Sequence, residues 1–345
     1  MDTVISGAAD WRGPELASST AWIDWVTDEQ GRELTGTVES LMAEGRLMAD
    51  VTATEFQIPS LAGDLVKARD ALETGNGIHL FRGLPVEALQ LDAVRMMYWG
   101  MGSHLGTAVS QSQRGDFLGD VRDLGTVVNT PEGRGYTSSS ELKFHTDSAD
   151  VSGLLFVRTA KSGGLSRFVS SLAIHNEIAR TRPDLLPVLH RPLSWSWQGQ
   201  ERPGEAPYYE QAVYGVARGY FASRYIRHHI EFAHSFYGAP ELTAAQIEAL
   251  DLIDALANSP AFHMEMMLEP GDLVLLNNHV TYHARTEYQD HPEPERKRHL
   301  LRLWLSVPNS RPLPEGWSAL YKDRRPGAVR GGFPGRGDEK VYATT

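Results

Sequence analysis

His145 and Asp147, separated by one residue, are the first side chains in the sequence that could bind a metal together. Side chains alternate along an extended strand, so both would project from one face. Two histidines and one carboxylate with three open positions are typical of non-haem iron(II) oxygenases. The pair alone is weak, because 13 histidines supply such a spacing about once by chance. The alternative is a surface histidine and aspartate beside a turn.

A third metal ligand has two candidates far downstream, His279 and His283, which follow an apolar run beginning at residue 273. They are four residues apart, so in a continuous strand they would face the same way. Periodicity therefore leaves both open.

Two arginines, Arg298 and Arg302, lie on one face of the next predicted strand, residues 298–307. A buried guanidinium needs an anionic partner, and its geometry suits a carboxylate. The alternative is a structural ion pair with one of the 44 acidic side chains. The predicted faces are Arg298, Leu300, Arg302 and Trp304 on one side, and His299, Leu301, Leu303 and Leu305 on the other.

The composition limits the classes of function. A formal net charge of −11 disfavours nucleic acid and anionic membrane as partners, so we expect neither. The absence of cysteine excludes disulfides, thiolate nucleophiles and iron–sulfur clusters, so a metal would use His, Asp and Glu. The first residues lack the features of a signal peptide, and no apolar run approaches the ~20 residues of a membrane span, which predicts a cytoplasmic protein.

Many short strand candidates interrupted by few helices predict a mostly β fold with flanking α-helices, a β-sandwich or jelly roll. We expect a flexible arm over residues 1–20, a single domain over 21–312 with a helical N-terminal part, and an irregular tail over 313–345. A Gly-, Ser- and Asp-rich region, residues 102–141, is either a source of substrate contacts or a surface connection.

Four motifs in order resemble those of the taurine dioxygenase (TauD/TfdA) family. Members are iron(II)- and 2-oxoglutarate-dependent oxygenases on a double-stranded β-helix, the jelly-roll fold. The likeness runs from roughly residue 77 to residue 312 and covers most of the chain. The motifs are His145-x-Asp147, Gly163-Gly164-Leu165-Ser166, Asn278 leading to His283-Ala284-Arg285, and Arg298-x-x-x-Arg302.

The resemblance implies roles for individual residues. It makes His145, Asp147 and His283 the iron ligands and leaves His279 as a neighbour in the core or beside the ligands. Arg298 would bind the distal carboxylate of 2-oxoglutarate, helped by the Ser166 hydroxyl. Arg302 matches a position that in some relatives binds an anionic group of the substrate and in others assists the cosubstrate.

The resemblance also implies the cofactors and the reaction. Fe(II), 2-oxoglutarate and O2 would act together, yielding succinate and carbon dioxide while a C–H bond is oxidised. Relatives that halogenate replace the ligand carboxylate with a small residue, so Asp147 predicts oxygenation.

The substrate is expected to be a small polar metabolite, anionic or amino-acid-like. For the aromatic residues that we consider as substrate contacts, Tyr136, Phe144 and Tyr225, the alternative role is packing. Two alternatives remain. The chain could be a non-catalytic jelly-roll protein that binds a small acid, or it could be a zinc hydrolase, although no general base for hydrolysis is evident. A homodimer is compatible with the resemblance, although no interface is visible. The substrate-contact candidates are Tyr136, Phe144, Arg224, Tyr225, Asn278 and Arg302.

Overall fold

Two β-sheets contact each other through a shared apolar cluster in the computed structural model, which describes residues 4–126, 135–333 and 342. The larger sheet has the strand order β1-β2-β14-β6-β17-β3, with β4 also paired to β17, and the smaller has the order β13-β8-β15-β5. The strands are β1 (Ile23–Trp25), β2 (Ile78–Arg82), β3 (Thr107–Ala108), β4 (Leu118–Val121), β5 (Leu142–His145), β6 (Val151–Arg158), β7 (Ser162–Gly163), β8 (Ser166–Ser170), β9 (Leu193–Ser196), β10 (Tyr208–Gln211), β11 (Tyr214–Ala217), β12 (Tyr220–Ser223), β13 (His263–Met266), β14 (Leu273–Asn277), β15 (Thr281–Arg285), β16 (Tyr288–Gln289) and β17 (His299–Ser306).

Helices cover one face of the larger sheet, and other helices pack in the apolar cluster that includes residues of the smaller sheet. Mixed sheets plus helices agree in part with the expected fold class, although helix (34%) exceeds strand (23%). Among the described residues, no helix combines the length and hydropathy that a membrane crossing requires. The α-helices of this part are α1 (Gly13–Ala17), α2 (Asp28–Ala43), α3 (Pro59–Thr74), α4 (Leu91–Leu105), α5 (Ser171–Thr181), α6 (Leu186–Leu189), α7 (Arg227–Tyr237), α8 (Ala244–Ala257) and α9 (Ser318–Tyr321).

Alternation along the central strands separates the two faces of the larger sheet. Leu301 and Leu303 of β17 pack in the cluster formed with α2, α3 and α4. Leu300, on the opposite face, packs in the cluster shared with the smaller sheet. This period-2 arrangement confirms the two faces predicted for residues 298–305 and directs Arg302 towards the space between the sheets.

The described segments nearest the two ends of the chain pack against the rest of the protein. Within residues 4–20, for which we expected a flexible arm, α1 forms and Trp11 is 4% exposed, with its indole N–H donating to the Asn76 carbonyl. In the tail, α9 forms and Trp317 and Tyr321 are buried. Large buried aromatic side chains stabilise the packing of these two described segments, because exposing them to water would cost their burial free energy.

Candidate metal centre

Three side chains bring their ligand atoms together in a group that could hold a metal ion. The ligand atoms of His145, Asp147 and His283 all lie within 4.8 Å of one another. Nε2 of His283 is 3.9 Å from Oδ2 of Asp147, and the two imidazole centroids are 4.2 Å apart. The structure thus brings together the three residues that the motifs single out.

Strand pairing explains why the two histidines meet. His145 ends β5, and its partner in the antiparallel pair with β15 is His283. Directly opposed residues of an antiparallel pair project their side chains from one face. Nδ1 of His145 lies 2.8 Å from the carbonyl oxygen of Lys143, which can only accept, so this nitrogen donates. Nε2 of His145 is therefore the nitrogen left for a metal.

The Asp147 carboxylate is held from several directions. The Ser152 hydroxyl donates to Oδ2 at 2.6 Å, and Nη1 of Arg302 lies 3.4 Å from Oδ1. The backbone N–H of Asp147 donates to Oδ1 of Asn278 at 3.0 Å, and Nδ2 of Asn278 donates to the Ser152 hydroxyl. Partners of this kind orient a ligating carboxylate and are part of a working metal site.

The ionisation states of the triad suit a divalent metal ion. Burial lowers the pKa of His283 to about 3, and the nearby His145 and Arg302 act in the same direction. Burial also lowers the pKa of His145. Burial alone would raise the pKa of Asp147, but Arg302 and the two histidines lower it to about 2. At neutral pH the site offers two neutral imidazoles and one carboxylate, which are the metal-binding forms.

His279 lies in the core and outside the triad. Its side chain is fully buried, and its Nε2 lies 2.9 Å from Oδ1 of Asp150. A turn over residues 278–280 separates β14 from β15, so His279 and His283 do not share one continuous strand. This turn removes the ambiguity that periodicity left.

A cavity beside the triad contains two buried arginines with unsatisfied donors. Arg298 and Arg285 are 4% and 5% exposed, and three of their nitrogens have no hydrogen-bond partner among the described residues. Burial and, to a lesser extent, the charge of Arg285 lower the pKa of Arg298 to about 10. Buried guanidinium groups with unmet donors call for an anion, and a carboxylate can accept two of their bonds. Ser166, His145, His283 and Arg302 line the same cavity.

Gly163, in the second motif, allows the turn before β8 to approach the backbone at Glu287 closely. Its φ is +74°, and a Cβ there would lie 2.3 Å from the Glu287 carbonyl oxygen. Only glycine tolerates both conditions. The turn leads into β8, whose first residue, Ser166, faces Arg285 in the antiparallel register.

A second cavity touches the triad from another side. Aromatic and amide side chains form much of its wall, and it shares His145 and Arg302 with the first cavity. The candidate metal centre therefore lies where the two cavities meet. Among the wall residues are Trp197, Trp304, Phe333, Gln111, Gln198 and Gln200.

Of the predicted substrate contacts, Arg302 lines both cavities, and the Tyr136 side chain lies outside the described residues. Phe144 is in the core, with its ring centroid 5.8 Å from that of His263. Tyr225 is fully buried, and its hydroxyl donates to Oδ1 of Asp254 at 2.6 Å. Neither aromatic residue is among those lining the two cavities.

The other two predicted contacts support the site from outside the cavities. Arg224 is buried beneath Trp195, with its guanidinium carbon 4.9 Å from that ring, and donates to the Ser148 hydroxyl at 3.1 Å. Asn278 is fully buried, and its amide is occupied by Asp147, Ser152 and the Ala149 carbonyl. Arg224 and Asn278 thus form hydrogen bonds with the loop that carries Asp147, and neither residue is among those lining the two cavities.

Sequence reasoning missed several residues of the cavity walls. Gln111 accepts from Nε of Arg302 at 2.7 Å and donates to the Arg302 carbonyl at 2.8 Å. Gln111 lies in the Gly-, Ser- and Asp-rich region 102–141, so the sequence indicated the region but not the residue. Trp304 shares the predicted face of Arg302. Phe333 lies in the predicted tail, where no sequence pattern pointed to it.

Comparison with known proteins gives two sequence relatives and one family. The family model described as "Taurine catabolism dioxygenase TauD, TfdA family" matches residues 38–304. FR-33289 synthase of Streptomyces rubellomurinus is 32% identical over 322 residues, covering 91% of this chain and 94% of that protein. The taurine hydroxylase-like protein SAT17 of Stachybotrys chartarum is 25% identical over 310 residues, covering 85% of this chain and 77% of that protein.

Solved structures share the fold at lower sequence identity. Asparagine oxygenase, in complex with Fe(II), 2S,3S-3-hydroxyasparagine and succinate, is 18% identical with a TM-score of 0.61. The non-haem iron oxygenase OrfP, in complex with Fe and alpha-ketoglutaric acid, is 14% identical with a TM-score of 0.63. Each comparison covers 82% of this chain and 93% of the other.

Proposed function

Because this chain belongs to the TauD, TfdA family and is a 2-oxoglutarate-dependent non-haem iron oxygenase, we propose that it oxidises a C–H bond of a small anionic or amino-acid-like metabolite. The observation that carries the proposal is the adjacency of two features. His145 and His283 of the triad line the same cavity as Arg298, whose Nη1 has no hydrogen-bond partner among the described residues.

His145, Asp147 and His283 would hold Fe(II) through two imidazole nitrogens and one carboxylate. Three protein ligands leave three coordination positions, which suits a cosubstrate that occupies two and dioxygen at the third. Bound iron supplies the oxidising chemistry, in which R–H, 2-oxoglutarate and O2 become R–OH, succinate and CO2 when the oxidation is a hydroxylation. The carboxylate ligand Asp147 favours oxygenation over halogenation, because halogenating relatives have a small residue at this position.

Arg298 would bind the distal carboxylate of 2-oxoglutarate. Its Nη1 has no hydrogen-bond partner among the described residues, and the cavity that it lines also reaches His145 and His283, as a cosubstrate bridging the two sites requires. The Ser166 hydroxyl lines the same cavity and would add a hydrogen bond. The apolar walls contributed by Phe156, Phe168 and Leu300 would keep water from this end.

The organic substrate would occupy the second cavity. Arg302 borders it beside Asp147 and offers a cationic group for a carboxylate or a similar anion. Glutamine side chains and tryptophan rings around it suit a polar molecule with an apolar portion. The asparagine oxygenase structure holds 2S,3S-3-hydroxyasparagine and an OrfP structure holds (3S)-hydroxy-L-Arg, which supports an amino-acid-like substrate for this chain.

For the fold, we propose that the two contacting sheets form the double-stranded β-helix of this family. The antiparallel pairings in the smaller sheet and the likeness to the OrfP fold support this topology.

Anaerobic titration tests the cofactor assignment. Adding Fe(II) and then 2-oxoglutarate to the full-length protein should produce a weak visible charge-transfer band, and Asp147→Gly should abolish it. An Arg167→Gln variant, which alters an exposed ion pair on β8, serves as the control and should retain the band. Absence of the band in the folded wild-type protein at saturating concentrations would contradict the assignment and favour a non-catalytic small-acid binding protein.

A metabolite screen tests the substrate class. Small carboxylates, sulfonates and amino acids should be compared for succinate production above the uncoupled rate, with oxidised product detected by mass spectrometry. We expect anionic and amino-acid-like compounds to stimulate succinate release. Stimulation confined to uncharged apolar compounds would refute the proposed class.

A further inference from the structure

We infer that residues 330–333, here called the C-terminal strap, are a working part of the active site. Arg330 positions the loop that carries Asp147, and Phe333 closes the cavity proposed for the organic substrate. The inference rests on the proposed function. It concerns residues beyond the 38–304 segment that the family model matches.

The strap is anchored by a buried ion pair. Nε of Arg330 lies 2.8 Å from Oδ1 of Asp150, and the two residues are 2% and 1% exposed. The remaining donors of the Arg330 guanidinium bind the carbonyl oxygens of Arg311 and Arg325 at 2.7 and 3.2 Å. Oδ1 of Asp150 also lies 2.9 Å from Nε2 of His279. Asp150 therefore links the strap to the turn before β15.

Asp150 ends the loop that starts with Asp147, here called the metal-ligand loop (residues 147–150). Asn278 binds both ends of this loop. Its backbone N–H donates to the Asp150 carbonyl at 3.0 Å, while its Oδ1 accepts from the Asp147 N–H at 3.0 Å. A shift of Asp150 would therefore reach the ligand carboxylate through a short, fully buried connection.

The strap backbone also lies directly against the metal-ligand loop. The N–H of Gly332 donates to the Ser148 carbonyl at 2.6 Å. A Cβ on Gly331 would lie 2.7 Å from the Ser148 carbonyl oxygen, and the φ of Gly331 is +81°. Glycine is required for this approach, because any other residue would meet backbone atoms in a strained conformation.

Phe333 extends the strap into the wall of the substrate cavity. Its backbone N–H donates to the Ser110 carbonyl at 2.8 Å, and its ring centroid lies 6.4 Å from that of Trp197 and 6.0 Å from that of Trp304. The guanidinium carbon of Arg302 is 5.0 Å from the Trp304 ring. The Phe333 ring thus limits the space available to the part of a substrate that extends from Arg302.

The role of Arg330 is tested with Arg330→Met in the full-length protein, using the charge-transfer band at saturating 2-oxoglutarate to titrate Fe(II). We expect iron affinity to fall about 10- to 100-fold, as is typical when a partner that orients ligands is lost. Arg330→Lys should recover part of the loss.

The matched control is Arg82→Met, which also leaves a buried carboxylate, Asp272, without its arginine. Among the described residues, neither Arg82 nor Asp272 forms a hydrogen bond or ion pair with residues 147–150 or with the strap, so iron affinity should stay at the wild-type value although stability falls. Equal iron affinity in Arg330→Met and the wild type would overturn the positioning role. Absence of the band in the wild type would instead refute the proposed function.

The role of Phe333 is tested with Phe333→Ala, which does not disturb the ion pair and so remains informative if Arg330→Met fails to fold. Succinate release is measured with taurine, L-asparagine, L-arginine and a blank without substrate. We expect at least one of the four rates to change about fivefold or more, while iron and 2-oxoglutarate titrations match the wild type. Phe236→Ala, at an exposed position on α7, should leave all four rates unchanged. Four unchanged rates in Phe333→Ala would overturn the cavity role.

Discussion

Nη1 of Arg302 lies 3.4 Å from Oδ1 of Asp147, so a cation on the larger sheet contacts the carboxylate of the candidate iron triad. Both side chains are buried, and Arg302 is the first contributor among those that hold the pKa of Asp147 down, to about 2. The arginine therefore keeps this ligand ionised, in addition to bordering the substrate cavity.

Replacing Arg302 should weaken iron binding. In Arg302→Gln the Asp147 carboxylate loses its cationic neighbour, and we expect iron affinity to fall about 10-fold, as for other losses of partners around metal ligands. Anaerobic Fe(II) titration with saturating 2-oxoglutarate measures this. If the affinity were unchanged, Arg302 would act on the substrate alone.

Replacing Arg298 should weaken 2-oxoglutarate binding and leave the metal site intact. Losing one partner of a buried charge pair costs about 2–5 kcal/mol, so Arg298→Gln should raise the Kd for 2-oxoglutarate about 30-fold or more. Arg285→Gln is the comparison, since Nη2 of Arg285 already donates to the carbonyls of Ser138 and Ser140, while its Nε and Nη1 have no hydrogen-bond partner among the described residues. A larger loss in Arg285→Gln would make that residue the main carboxylate partner.

Replacing Tyr225 should affect stability without affecting turnover. Tyr225→Phe removes the part-buried hydrogen bond to Asp254, and we expect the free energy of unfolding to fall by about 1–3 kcal/mol. Urea unfolding measures this change, and the uncoupled rate of succinate formation should match that of the wild type. A changed Kd for 2-oxoglutarate with unchanged stability would return Tyr225 to the active site.

The buried His175 should make stability depend on pH. Burial lowers its pKa from 6.5 to about 4 in an environment that includes His190. Because the folded-state pKa is depressed, the stabilisation is complete above pH 6.5 and is lost as the pH falls towards 4. The loss attributable to this group is about 3 kcal/mol.

Urea unfolding of the wild type and of His175→Gln between pH 7 and 4 measures the effect. The variant should show a smaller decline over this interval, because one fewer buried histidine must be protonated. His291→Gln, outside the buried core, is the control and should follow the wild type. Parallel curves for His175→Gln and the wild type would contradict the assignment.

Local patterns in the sequence determined which residues could do the chemistry. The spacing of His145 and Asp147, and the alternation that puts Arg302 and Leu300 on one face of β17, depend on the geometry of a single strand. A resemblance in four ordered motifs then identified the family. These inferences needed no knowledge of which distant segments meet.

Only the tertiary structure decided how distant residues complete the site. The family resemblance implied His283 rather than His279, and the structure supplies the physical reason: a turn over residues 278–280 starts a new strand, and the register of that strand places His283 opposite His145. The strap reaches the metal-ligand loop because Arg330 finds a buried partner 180 residues away, at Asp150. Pairings over such separations depend on strand register and on the compensation of buried charge, and neither property can be read from a local window of sequence.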